Sequence, residues 1–124
     1  MINQLGNVNE LKSSNFHLKK DKFRNVRNGN SKLLEISCSK CNTRFMIYQK
    51  DGIGSLVRSY LDRILWPDNL SSLSKDPNIK GTKDIPNLSC ESCHSLIGIP
   101  MVYAPERRLA FRLIRGTFRK QKLK

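Results

Sequence analysis

Two Cys-x-x-Cys pairs contain every cysteine of the chain, and they constrain its fold more than any other feature. The pairs are Cys38 with Cys41 and Cys90 with Cys93. Four thiolates carried by two such turns can complete a tetrahedral shell around one metal ion, which is how structural zinc sites are built. The pattern therefore predicts a small domain that is held together by a metal ion.

The residues that follow each pair support this prediction. The chain must turn back after the second cysteine, which favours a residue that tolerates a positive φ. Asn42 follows the first pair and His94 follows the second. Both residue types are enriched in that conformation among non-glycine residues, so we expect a tight reversal at each position.

This arrangement resembles the zinc ribbon proteins, in which two Cys-x-x-Cys knuckles on β-hairpins share one zinc. The resemblance covers roughly residues 33–114, and its specific part is the two knuckles and the strand-like runs after them. It implies an α+β fold, a small zinc ribbon of antiparallel β-hairpins with one structural zinc. Iron is the alternative metal, because a tetrahedral set of four sulfurs accepts either ion. The ligands are expected to be Cys38, Cys41, Cys90 and Cys93.

The spacing between the knuckles predicts an inserted element. There are 48 residues between Cys41 and Cys90, whereas a compact four-cysteine site has roughly 15–20. A helix from Leu56 to about Trp66 fits this gap, because Leu56, Tyr60, Leu61, Ile64 and Leu65 recur at helical spacing. Pro67 would end the helix. A polar connector, residues 68–89, would then lead to the second knuckle.

Strands are predicted on the carboxyl side of each knuckle. Residues 43–50 are rich in β-branched and aromatic residues, and residues 96–103 are an apolar run. Residues 109–114 alternate in the manner of a further strand. A helix is the alternative for residues 107–118, since Arg108, Arg112, Arg115 and Arg119 would form one helical stripe. Gly116 weakens that helix, so the strand is preferred.

Two other interpretations of the second pair are considered. Residues 90–94 match Cys-x-x-Cys-His, the attachment signature of c-type haem, with Met101 available as a second axial ligand. A redox-active pair is the other, but it would need a βαβ context that neither pair has. The second Cys-x-x-Cys pair and the small core favour a four-thiolate metal site over both.

Size and composition predict one domain with a small core. The chain has 124 residues, of which 38% are hydrophobic, so a metal ion would add needed stability. No run approaches the roughly 18 apolar residues of a membrane span, and residues 1–12 lack the apolar core of a secretory signal. We expect a cytoplasmic protein, because thiols stay reduced there and remain free to bind metal.

The net charge of +13 is concentrated at the two ends. Residues 1–32 contain seven basic and two acidic side chains, and residues 106–124 contain eight basic and one acidic. The residues between these two segments carry a net charge of only +1. We therefore predict three parts: a disordered basic arm (1–32), the ribbon domain (33–118) and a basic tail (119–124). Cationic arms suit RNA or DNA, since each neutralised phosphate releases counterions; the alternative is that they only aid solubility.

The sequence thus predicts a binding protein and not an enzyme. A closed four-thiolate metal has no position for water, and the two histidines form no catalytic set with carboxylates. The predicted role is a zinc-stabilised nucleic-acid-binding or ribonucleoprotein-associated accessory protein, with no small-molecule substrate. The alternative is an adaptor that binds an acidic protein partner. The residues expected to contact nucleic acid are Arg107, Arg108, Arg112, Arg115, Arg119 and Lys120.

Overall fold

The computed structural model describes residues 12–25 and 30–124, which form two four-stranded antiparallel sheets and one short helix. The strands are β1 (Ser31–Cys38), β2 (Arg44–Asp51), β3 (Arg58–Tyr60), β4 (Ile64–Trp66), β5 (Leu88–Ser89), β6 (Leu96–Tyr103), β7 (Arg108–Leu113) and β8 (Phe118–Lys122). One sheet has the order β4-β2-β1-β8 and the other has the order β3-β7-β6-β5. The helix α1 (Asp68–Ser71) has only four residues. The fold is thus mostly β, and the predicted antiparallel pairing of strands is confirmed.

The two sheets share one hydrophobic core. Ile36 and Met46 of the first sheet are each 1% exposed, and Ile97 and Phe111 of the second are 0% and 1% exposed. All four belong to one cluster of buried residues, which also contains Cys38 and Cys90. The metal-ligand candidates are therefore continuous with the core.

Strand β2 is covered on both of its faces. Residues 45–49 are all buried, although successive side chains of a strand point to opposite faces. The segment 12–25 lies on the face that carries Gln49: the Lys19 amide donates a 2.6 Å hydrogen bond to Gln49 Oε1, and Gln49 Nε2 donates one of 3.0 Å to the Lys19 carbonyl. The Lys19 ammonium also donates to the Asp62 carbonyl at 2.6 Å.

An ion-pair network attaches this segment to the domain. Arg63 is 1% exposed, and its Nε donates to Asp51 Oδ2 at 2.6 Å. Its two other guanidinium nitrogens donate to the Asp21 carboxylate at 2.6 and 3.0 Å. The Asp21 contact is bidentate, so it fixes the orientation as well as the position of the segment.

Arg108 forms a second buried centre between the segment and the second sheet. Its guanidinium donates to Asp62 at 2.7 Å and to Glu106 at 2.8 Å. It lies over the rings of Phe23 and Tyr60, at 4.0 and 3.8 Å from their centroids. Phe23 therefore docks the N-terminal segment onto the protein's own domain.

The predicted helix over residues 56–66 is wrong. Residues Arg58–Tyr60 pair with β7 in one sheet, and Ile64–Trp66 pair with β2 in the other. The 3₁₀ turn Leu61–Arg63 carries the chain between the sheets. The apolar residues of the predicted helix are mostly buried, as expected, but pairing at two sheet edges overrides their helical spacing.

Within the described ranges, no helix is long and apolar enough to cross a membrane.

Parts of both segments that were predicted as arms belong to the first sheet. Strand β1 begins at Ser31, inside the predicted N-terminal arm, and β8 extends to Lys122, inside the predicted tail. Leu123 is 4% exposed, and its amide donates to the Leu33 carbonyl at 3.0 Å. The apolar side chains interleaved with the cations explain this docking. Residues 1–11 and 26–29 of the predicted arm lie outside the described residues.

Candidate metal centre and adjoining cationic surface

The first knuckle is the turn that connects β1 to β2. The Cys38 amide donates to the Thr43 carbonyl at 2.9 Å, and the Asn42 amide donates to the Cys38 carbonyl at 2.8 Å. Asn42 has φ 64°, as the sequence predicted. These bonds close the backbone into a tight turn that contains both cysteines of the pair.

The second knuckle repeats this geometry between β5 and β6. The Cys90 amide donates to the Ser95 carbonyl at 2.9 Å, and the His94 amide donates to the Cys90 carbonyl at 2.8 Å. His94 has φ 65°, which also confirms the prediction. Two segments separated by nearly fifty residues thus form the same turn.

The four sulfurs lie close together, with all of them within 4.8 Å of one another. Two of the separations that cross between the knuckles are 3.6 Å, from Cys38 Sγ to Cys93 Sγ, and 3.5 Å, from Cys41 Sγ to Cys90 Sγ. Zn–S bonds of about 2.3 Å in a tetrahedron place sulfurs about 3.8 Å apart, whereas a disulfide requires about 2.05 Å. The arrangement suits one shared metal ion and not two disulfides.

The two cysteines of each pair differ in burial. Cys38 and Cys90 are fully buried, whereas Cys41 and Cys93 are partly exposed. Burial raises the pKa of the Cys90 thiol to about 11. A bound cation would offset this cost, because metal coordination deprotonates a thiol.

A hydroxyl group lies beside each of the two outer sulfurs. Cys41 Sγ is 3.1 Å from Thr43 Oγ1, and Cys93 Sγ is 3.1 Å from Ser95 Oγ. The hydrogen bond from Ser95 lowers the pKa of Cys93 to about 6, and the one from Thr43 lowers the pKa of Cys41. When the sulfur is a thiolate, the hydroxyl is the donor and the bond stabilises its charge.

The sequence analysis missed these hydroxyl groups, although the signal was present. Each pair is followed by a residue that turns the chain and then by a hydroxyl residue, in Cys-Asn-Thr and Cys-His-Ser. Thr43 Oγ1 also lies 3.1 Å from Ser92 Oγ. This contact joins the first knuckle to the second beside the metal-ligand candidates.

The first knuckle is bound to the turn between β7 and β8. The Ser39 amide donates to the Thr117 carbonyl at 3.0 Å, and the Ser39 hydroxyl donates to the Gly116 carbonyl at 2.7 Å. The Arg119 guanidinium donates to Asn42 Oδ1. Three hydrogen bonds therefore connect the metal-ligand loop to the part of the chain richest in arginine.

Four exposed cations lie on the first knuckle and on residues 115–120, the segment that it contacts. We call them the knuckle surface: Lys40, Arg115, Arg119 and Lys120. Lys40 lies inside the first Cys-x-x-Cys pair and was not among the predicted contact residues. The other three were predicted: Arg115 lies in the turn between β7 and β8, and Arg119 and Lys120 lie on β8, which pairs with β1 next to the first knuckle.

The remaining predicted residues lie elsewhere. Arg108 is 5% exposed and is occupied by two carboxylates and two rings, so it does not lie on the surface where the sequence analysis placed it. Arg107 has φ 54° at the turn before β7 and lines a depression with Leu73 and Ile79. Arg112 is exposed on β7, opposite Ile99. A run of cations in sequence is thus divided among three parts of the molecule.

Comparison of the chain with family models, curated proteins and solved structures finds no match.

Proposed function

We propose that the protein is a zinc-stabilised nucleic-acid-binding or ribonucleoprotein-associated module, and that it acts by binding and not by catalysis. The observation that carries this proposal is the attachment of the first knuckle to the turn between β7 and β8. A metal ion that fixes the knuckle also fixes the cations of the knuckle surface. Folding and recognition would then depend on the same ion.

We infer that the metal is zinc, held as a structural ion. Four thiolates complete a tetrahedral shell and leave no position for water, so the ion would be structural. The hydroxyls of Thr43 and Ser95 stabilise thiolate charge on the outer two sulfurs. Iron would suit the same shell, and elemental analysis of protein prepared without added metal distinguishes the two.

The knuckle surface has the charge that a phosphate backbone requires. Within the described part of the chain, none of its four cations takes part in an ion pair; the buried or partly buried Arg44, Arg63 and Arg108 form those. Its charges are therefore available to phosphates. The arginine forks of Arg115 and Arg119 suit bidentate contact better than a lysine would.

The test is the salt dependence of binding to labelled single-stranded RNA and duplex DNA. The variant Lys40→Gln, Arg115→Gln, Arg119→Gln, Lys120→Gln removes the knuckle surface. Each phosphate contact contributes roughly 0.7–0.9 to the slope of log affinity against log salt, so the slope should flatten by up to about 3. Metal content should not change, because none of the four is a ligand.

The matched control removes the same charge elsewhere. Lys75, Lys80 and Lys83 lie on the connector that follows α1, and Arg107 faces that connector. Changing these four exposed residues to Gln lowers the net charge by the same amount as the knuckle-surface variant does. It should leave most of the dependence of log affinity on log salt. Equal effects of the two variants would show that net charge, and not the knuckle surface, attracts the polyanion.

An acidic protein partner is the alternative for the same cations. Its binding would also weaken with salt, so salt dependence alone does not distinguish the two functions. Nuclease treatment of the tagged protein with its bound partners distinguishes them. A partner that stays with the tagged protein after nuclease, together with no affinity for either nucleic acid at low salt, would favour the adaptor.

A further inference from the structure

A cleft of about 530 Å³ lies beside the second knuckle and between the edges of the two sheets. Strand β4 is the last strand of one sheet and β5 is the last strand of the other. Trp66 of β4 and Leu88 and Ser89 of β5 line the cleft. Edge strands leave backbone groups unpaired, so this site is open to an added extended segment.

The lining of the cleft is mainly apolar. Its apolar members are Phe45, Trp66, Pro67, Leu70, Pro86 and Leu88. Trp66 and Leu70 are only partly buried by the protein itself. The volume lies within the roughly 300–1,000 Å³ of ligand pockets, which gives room for an apolar side chain to pack on the indole ring.

The polar rim of this cleft is acidic, in contrast to the rest of the protein. Asp68 and Glu91 both line it, and both are exposed. Across residues 12–25 and 30–124, neither carboxylate takes part in an ion pair or a side-chain hydrogen bond, whereas the five carboxylates paired with arginine are used within the fold. Arg44 also lines the cleft: its Nε is bound to Glu35 at 2.9 Å, which neutralises its charge, and its buried Nη1 has no hydrogen-bond partner among the described residues.

The rim charge determines which class of partner fits. Two free carboxylates repel a phosphate backbone, so the cleft is not an extension of the knuckle surface. The same carboxylates attract lysine or arginine side chains on either side of an apolar anchor. Because the overall charge is +13, a cationic partner is repelled by the protein as a whole, and the two carboxylates of the rim provide a local attraction for it.

We propose that this cleft binds an extended peptide segment of a partner protein, in which apolar side chains alternate with lysine or arginine. The apolar side chains pack against Trp66 and Leu88, and the basic ones pair with Asp68 and Glu91. This inference goes beyond the proposed nucleic-acid function and does not depend on it. The protein would then hold a nucleic acid at the first knuckle and a basic protein segment beside the second.

The test uses the fluorescence of Trp66, which is the chain's single tryptophan. The probe is a nine-residue peptide of alternating Lys and Leu, titrated into the metal-loaded full chain. Burial of the indole should shift its emission to shorter wavelength in a saturable way, and rising salt should weaken the binding. The corresponding Glu/Leu and Lys/Ser peptides should not produce the shift.

A pair of charge variants then separates the rim from the rest of the surface. Asp68→Asn with Glu91→Gln should weaken binding of the Lys/Leu peptide about fivefold or more. Asp76→Asn with Asp84→Asn removes the same charge from exposed positions of the connector and should change it less than twofold. Metal content and thermal unfolding, measured for both variants, establish that each is folded.

Three results would overturn the proposal. The first is that the Glu/Leu peptide binds as tightly as the Lys/Leu peptide. The second is that the Asp68→Asn, Glu91→Gln variant binds the Lys/Leu peptide with unchanged affinity. The third is that this peptide shifts the amide NMR signals of Lys40 and Arg119 instead of those of Ser89 and Glu91. A single-stranded oligonucleotide that changes Trp66 emission as strongly as the Lys/Leu peptide would assign the cleft to nucleic acid instead. The knuckle-surface variant is not affected by any of these outcomes, so the two proposals fail separately.

Discussion

The Ser39 hydroxyl donates a 2.7 Å hydrogen bond to the carbonyl oxygen of Gly116, which is 77 positions further along the chain. Ser39 lies between two metal-ligand candidates, and Gly116 has φ 85° in the turn that presents Arg115. Because glycine adopts this conformation without strain, the turn can bring its carbonyl to the knuckle. The bond links the proposed metal site to the proposed phosphate contacts.

Replacing Ser39 with Ala should weaken nucleic-acid binding without releasing metal. A hydrogen bond of this kind contributes about 0.5–1.5 kcal/mol, so affinity should fall roughly two- to tenfold. Fluorescence anisotropy with labelled RNA measures the change, and elemental analysis measures the metal. Ser89→Ala, an exposed serine beside the second knuckle, is the control and should bind as the unchanged protein does.

Replacing Cys90 with Ser should remove both the metal and the cooperative unfolding transition. Cys90 is fully buried, and metal-binding free energy is also folding free energy in such domains. Chelation of the unchanged protein should have the same effect. Calorimetry and elemental analysis test this, with Ser89→Ala as control; a chelated protein that still melts cooperatively at the same temperature would contradict the structural role.

The hydroxyls beside the outer sulfurs give a more selective prediction. Thr43→Val with Ser95→Ala keeps all four thiols but removes both hydroxyl-to-sulfur hydrogen bonds. Loss of such supporting contacts typically lowers metal affinity about 10- to 100-fold. Competition with a zinc-binding dye measures the change. Thr82→Val, at an exposed position, should leave the affinity unaltered.

Three of the strands and the cysteine cluster could be predicted because their signals are local. Residues 43–50, 96–103 and 109–114 carry alternating or apolar patterns, and the structure has β2, β6 and β7 there. The four metal-ligand candidates could be chosen from the pair spacing alone. The long insertion between the pairs did not prevent this prediction, because each pair needed only a residue that turns the chain back after it.

The errors have non-local causes. The apolar spacing of residues 56–66 suits a helix. The segment forms two short strands instead because one part pairs with β7 and the other pairs with β2. The burial of Arg108 depends on Asp62, which is 46 positions away. Nothing in the cationic run itself distinguishes Arg108 from its exposed neighbours, so the surface set could not be separated by sequence.

Removing Arg63 should destabilise the protein strongly. Its side chain is 1% exposed and holds Asp51, which is 4% exposed, and Asp21. Arg63→Met leaves the carboxylate of Asp51 buried with hydrogen bonds from Ser31 and Gln49 but without a cation, and loss of one member of a buried ion pair costs about 3–5 kcal/mol. Denaturant unfolding of the metal-loaded protein measures the loss. Arg115→Gln, an exposed change, should cost less than about 0.5 kcal/mol.

Replacing Asp21 with Asn tests how the N-terminal segment is held. The Arg63 guanidinium lowers the pKa of Asp21 to about 2, so the carboxylate is ionised in the folded protein at neutral pH. A lowered pKa stabilises the fold above the unfolded-state value of about 4, and that contribution is lost as the pH falls from about 4 to 2. Asp21→Asn should therefore lower the free energy of unfolding by about 1 kcal/mol, the size of a partly exposed ion pair.

The pH profile of this loss is the sharper measurement. The difference between the unchanged protein and Asp21→Asn should be the same at pH 7 and pH 5, because both lie above the titration window. Hydrogen exchange at the Lys19 amide, which is bonded to Gln49, should speed up in the variant at both values. Glu91→Gln, which removes an unpaired exposed carboxylate, should change neither the free energy of unfolding nor the exchange rate of the Lys19 amide. A difference that shrinks by half at pH 5 would mean that Arg63 does not hold Asp21 in the ionised form.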